Sequence, residues 1–199
     1  MLTFAAAVFL LIITPGPGVL STAGFGAAYG FRPSLRYVLG LCIGTNLVML
    51  AVISGVAAIL LSVPGLRLVL MGASVLYLLY LAARIAFAGA RIAFIAAKAP
   101  PGVLAGLALQ AINPKAYAVN TSLISNFGYA PEAWGYEMIT KALIMNAIWL
   151  PIHLGWLWAG VTLHRLDLRP GTQRAINHAM ALAMLAVVAL ALWTARGAS

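Results

Sequence analysis

A chain of 199 residues that is 64% hydrophobic, only 8% charged and net +9 carries more apolar surface than a soluble domain of its size can hide. The basic excess is no nucleic-acid footprint, because Lys and Arg are scattered one to three at a time through short connections, the pattern by which charge orients a chain in a bilayer. The lone cysteine, Cys42, and only three acids, Glu132, Glu137 and Asp167, argue against a disulfide, a cysteine metal cluster or paired-carboxylate catalysis, so neither metal nor cofactor is expected.

Six apolar stretches follow in chain order: 2–27, 35–61, 66–87, 103–127, 139–161 and 176–193. Each is near or above the roughly 17–25 residues of a bilayer crossing, and together they predict one all-α membrane domain over 1–199. The first lacks a basic n-region and runs into Thr-Pro-Gly-Pro instead of a small-residue cleavage site, so it is expected to stay as a span.

That stretch is interrupted by Thr14-Pro15-Gly16-Pro17-Gly18. Two prolines delete two N–H groups, and the glycines permit unusual backbone, so the helix should break there. The second stretch carries Thr45 and Asn46. Pro64-Gly65 marks the turn into the third, and Pro100-Pro101-Gly102 the turn into the fourth. The fourth is broken in its turn at Asn113-Pro114-Lys115, 99 positions after the first break, and Asn146 in the fifth follows Asn46 by 100. The chain therefore reads as two three-helix halves, about 1–98 and 99–199. An odd number of crossings per half makes the repeat inverted, and breaks at matching places in two such halves point to a transporter binding site. The site is expected at Thr14, Pro15, Gly16, Pro17, Gln110, Asn113, Pro114, Lys115 and Tyr117, with Asn46 and Asn146 completing it.

Lys115 is the sharpest single residue. A charge about 12 residues into a span costs about 2.5–3.5 kcal/mol on insertion scales and normally faces a cavity or partner. The competing reading is a lysine that snorkels or caps the broken helix's carbonyls. Gln110, Asn113, Tyr117 and Asn120 recur at spacings of three, four and three on one face; such residues also serve as plain interhelical glue. His153, seven after Asn146, can titrate near neutral pH, which makes it, with Lys115, a candidate for proton linkage. Gly40-x-x-x-Gly44 and Gly102-x-x-x-Gly106 allow close helix contact, within the chain or in a homodimer. The three acids are expected outside the apolar core.

Orientation follows from counting Lys and Arg. Arg32, Arg36, Arg84, Arg91, Lys98, Arg165, Arg169 and Arg174 fall on one side, and Arg67, Lys141 and Arg196 on the other, leaving Lys115 within a span. The richer side should be cytoplasmic, with both termini outside. Trp134, Tyr136 and Trp193 suit an interfacial belt.

The Thr14-Pro15-Gly16-Pro17 motif, the glycine-rich second stretch, the run Gly72-Ala73-Ser74-x-x-Tyr77-Leu78 and Asn113-Pro114-Lys115-Ala116 resemble the LysE/RhtB family of bacterial amino-acid exporters over the whole chain. The resemblance implies a multi-pass inner-membrane protein that exports amino acids or related metabolites, with Thr14, Pro15, Gly16, Pro17, Asn113, Pro114 and Lys115 at functional positions. Gly18 departs from the polar or acidic residue that often follows the first motif in that family, which weakens any cation site there. Partners are then an amino-acid-like solute and the lipid bilayer, with no nucleic acid. The rival expectations are a non-transporting structural or assembly subunit, whose prolines only shape packing, and a lipid-modifying enzyme, for which the catalytic sets are missing.

Overall fold

The computed structural model describes residues 1–14, 16–86, 100–166 and, with interruptions, 169–189. Pro15, the connection at 91–98, Asp167, Trp193 and Arg196 lie outside the described residues. All regular structure among those described is helical: α1 (Leu2–Ile13), α2 (Pro17–Tyr29), α3 (Phe31–Ile53), α4 (Val56–Ser62), α5 (Pro64–Ala86), α6 (Val103–Ile112), α7 (Pro114–Asn126), a 3-10 turn at Pro131–Ala133, and α8 (Trp134–Arg165). Helical residues recur between 170 and 189.

Both expected breaks are present, and proline sterics account for their shape. A residue before proline is pushed out of the helical region. Thr14 (φ −56°, ψ 128°) and Gly16 (φ −160°, ψ 179°) accordingly are not helical, and neither is Asn113 (φ −81°, ψ 103°). Pro17 and Pro114 then open α2 and α7 at the first helical position, where a missing N–H costs nothing. Asn113 caps α7 by accepting from Lys115 N at 3.1 Å.

The second stretch does not run unbroken to residue 61. It stops at Ser54-Gly55, where Gly55 takes φ +76°, a left-handed conformation that suits glycine and ends α3. Pro64 heads α5 directly.

Among the described residues, Phe31–Ile53 and Pro131–Leu163 are each long and apolar enough to cross a membrane. α1 and α2, bent by 55°, make a third if the pair is one span. Large apolar side chains such as Leu10, Leu47, Leu104, Leu143 and Trp158 stand exposed, as befits an exterior whose solvent is lipid. With lipid as apolar as leucine, helix association rests on close packing. Each broken pair packs chiefly on one long helix: α1 and α2 on α8, α6 and α7 on α3. The core at these crossings holds Phe4 and Val8 of α1, Tyr37 and Leu41 of α3, Leu109, Leu123, and Trp149 and Leu157 of α8. Small residues let the backbones meet. A Cβ on Gly106 would stand 2.6 Å from Leu41 N, and one on Gly160 would stand 2.7 Å from the Ala23 carbonyl carbon. Gly40 and Gly44 face α6 in the same way, so this glycine face is engaged inside the chain and not free for a second copy.

One expectation about charge is corrected. Glu137 and Lys141, placed outside the apolar core by sequence, are both buried, at 5% and 0% exposure. They satisfy each other: Lys141 Nζ lies 2.7 Å from Glu137 Oε1 and donates to the Ile124 carbonyl at 2.9 Å. Glu137 Oε2 accepts from Ala130 N at 2.7 Å and Tyr129 N at 3.2 Å. Burial of charge is tolerated when pairing is this complete. Trp134 and Tyr136, at the start of α8, are exposed as expected.

Candidate functional site

The two breaks, α3 and α8 enclose one cleft of about 620 Å³, the open space at its mouth included. Eight of the expected residues line it: Gly16, Pro17, Asn46, Gln110, Asn113, Lys115, Asn146 and His153. Thr14, Pro114 and Tyr117 do not. The Thr14 hydroxyl donates to Leu10 O in its own helix at 2.7 Å, and the Tyr117 hydroxyl turns back to Ala111 O at 3.0 Å.

Lys115 bridges the two breaks. Its Nζ donates to the Thr14 carbonyl, the end of α1, from across the cleft. It thus caps the first broken helix and still lines the cavity, using one of its three ammonium hydrogens. Gly16 makes room for this arm, since a Cβ there would stand 2.8 Å from Lys115 Cδ and 3.3 Å from Nζ. The N-terminal ends of α2 and α7 both border the cleft, and their dipoles add positive potential to that of Lys115. Among the described residues, no carboxylate lines it.

The polar walls are orderly. Asn113 donates through Nδ2 to Gln110 Oε1 at 2.7 Å. Its Oδ1 holds a backbone N–H, so both amide orientations are fixed. Asn46 and Asn146 form a reciprocal pair, with Nδ2 to Oδ1 at 2.9 Å one way and 2.8 Å the other. Each also donates to the carbonyl four residues back, Cys42 at 2.8 Å and Ala142 at 2.9 Å. His153 is buried, stacked on Trp149 with ring centroids 3.6 Å apart, and its Nδ1 meets Trp149 O at 3.0 Å. Its Nε2 lies 3.4 Å from where a Cβ on Gly18 would be, so the departure at position 18 leaves that ring nitrogen uncrowded.

Sequence reasoning passed over Met145 and Trp149. With His153 they recur every four residues along α8 and line the cleft, a spacing visible in the sequence but lost among so many apolar residues. Val119, Met49 and Leu11 of the lining carry no such signal.

The fold is that of a multi-pass helical membrane protein with an internal, basic, polar-walled cleft at two broken helices. Residues 9–196 match the LysE type translocator family, and the chain belongs to it. A curated relative, the cysteine/O-acetylserine efflux protein of Klebsiella pneumoniae subsp. pneumoniae, is 27% identical over 170 residues, covering 85% of this chain and 86% of its own. No solved structure matches the chain.

Proposed function

We propose that this protein exports amino acids or related small zwitterions across the bacterial inner membrane by alternating access about the cleft. One observation carries the reading: among the described residues, a single lysine and the starts of two proline-headed helices share a cavity walled by amides and lined by no carboxylate. That field suits a carboxylate, and the amides suit the rest of a polar, neutral solute. The cysteine/O-acetylserine efflux relative supports small neutral amino acids as the class. The proposed site comprises Thr14, through its carbonyl, with Pro15, Gly16, Pro17, Asn46, Gln110, Asn113, Pro114, Lys115, Tyr117 and Asn146, and His153 is the group proposed to link transport to protons.

The architecture proposed for this work is six spans in two inverted three-helix halves, with both termini periplasmic. The matched offsets of Pro15 and Pro114 and of Asn46 and Asn146 support it, as does the exchange of broken helices between halves.

The test is counterflow in proteoliposomes with labelled L-cysteine, O-acetylserine and L-lysine. Saturable exchange of the neutral solutes, abolished by Lys115→Ala in protein that still inserts, is the expected result, and His153→Ala should flatten its pH dependence. Normal exchange by Lys115→Ala at wild-type abundance would end the carboxylate role, and saturable lysine exchange would end the charge preference.

A further inference from the structure

We propose that Asn120 is the ammonium subsite of the cleft: its Oδ1 accepts the primary ammonium of the transported solute. Asn120 lines the cleft on α7 and is 2% exposed. Its Nδ2 donates to the Ala116 carbonyl one turn back at 2.7 Å. Its Oδ1 is the one buried side-chain polar atom, among the described residues, without a hydrogen-bond partner. The amide cannot be turned round to cure this, because the oxygen would then face the Ala116 carbonyl, acceptor against acceptor. The atom left over is therefore an acceptor, and buried acceptors are rarely left unmatched without reason.

Elimination among the lining amides points the same way. Asn46 Oδ1 and Asn146 Oδ1 are each occupied by the other's Nδ2. Asn113 Oδ1 is held by Lys115 N, and Gln110 Oε1 by Asn113 Nδ2. Each of these oxygens already accepts a bond, and Asn120 Oδ1 is the lining amide oxygen that accepts none. A zwitterion entering the cleft finds a cation for its carboxylate at Lys115 and, among the described residues, no carboxylate for its ammonium. A neutral acceptor that holds no other bond is what that ammonium requires.

This subsite rests on the reading that the cleft carries amino acids, and a binding measurement separates the two. Purified full-length protein in nanodiscs is titrated calorimetrically, under reducing conditions, with L-cysteine and with 3-mercaptopropionate, the same molecule without its amino group. Wild-type protein should bind L-cysteine more tightly. Asn120→Leu should weaken L-cysteine binding by about 10- to 100-fold, the worth of a hydrogen bond to a charged group, and leave 3-mercaptopropionate binding unchanged. Asn120→Asp, which keeps an acceptor, should keep the preference. Equal weakening of both ligands by Asn120→Leu would reduce the residue to a structural role, and unchanged binding of both would mean that Oδ1 makes no contact with the solute; either result overturns the subsite, as does a wild-type protein that fails to distinguish the two ligands. If the binding pattern holds while counterflow fails, the subsite stands and the export reading falls.

Discussion

The reciprocal pair of Asn46 and Asn146 offers a direct measurement of how the two long helices are held together. Two side-chain bonds, at 2.9 Å and 2.8 Å, join α3 to α8 beside the cleft. Side-chain bonds between membrane helices average about 0.6 kcal/mol and reach about 1.7 kcal/mol, so the pair is worth roughly 1–3 kcal/mol. Asn46→Leu deletes both bonds at once, as does Asn146→Leu, because each bond needs both amides. Leucine keeps the branched skeleton of asparagine and is the bulkier of the two, so no cavity cost confuses the comparison. The second substitution then has no interhelical bond left to remove. A double-mutant cycle, read by reversible unfolding in bicelles, should therefore give a coupling energy of roughly 1–3 kcal/mol, with the double variant about as stable as either single one. Additivity within about 0.5 kcal/mol would refute the pairing and leave two separate amides bonded only within their own helices.

Three further outcomes are expected. Gly16→Ala should fold normally, because its φ of −160° is extended backbone, yet slow counterflow, because the new methyl would displace the Lys115 side chain 2.8 Å away; an unchanged rate would separate Lys115 from transport. Glu137→Gln should lower the thermal midpoint in detergent more than Ser34→Ala does, since it strips the buried Lys141 of its counter-charge; the reverse order would show that the ion pair is dispensable. Reporter fusions at Arg36 should read cytoplasmic and those after Ser199 periplasmic, and a cytoplasmic C-terminus would break the proposed six-span orientation.

The two breaks were legible because proline acts locally: it sets its own φ and restricts the residue before it whatever surrounds it. The end of α1 near residue 13 and the start of α7 at residue 114 could thus be read to within a residue. Lys115 stood out because charge is rare in so apolar a chain. Its contact with Thr14 O did not, because it joins residues 101 apart and no local rule reports such a meeting. Tyr117 shows the limit of periodicity. Its spacing from Asn113 and Asn120 suits one face, but the proline break turns the carbonyl of Ala111 toward its hydroxyl. The stop at Gly55 was missed because an apolar run looks continuous on both sides of it. Glu137 and Lys141 were misplaced because composition counts charges singly, whereas burial depends on whether they find each other.

The same pair bears on how the halves correspond. The carbonyls of Phe25 and Ile124, near the ends of α2 and α7, lie 99 apart in sequence, the offset of the two prolines. Each accepts from a side chain near the start of the long helix that follows: Ser34 Oγ donates to Phe25 O at 3.0 Å, and Lys141 Nζ to Ile124 O at 2.9 Å. A carbonyl in the last turns of a helix is thus met once by a hydroxyl and once by an ammonium. The hydroxyl is uncharged and shares its single hydrogen with Gly30 O at 2.8 Å, so it needs no counter-charge. The ammonium requires a counter-charge, and Glu137 supplies it one turn earlier on α8, itself held by the Tyr129 and Ala130 amides. An exchange of a neutral donor for a charged one at these two carbonyls leaves no trace in residue identity at those positions. Where the letters differ, the likeness of the two places therefore lies in their hydrogen bonds.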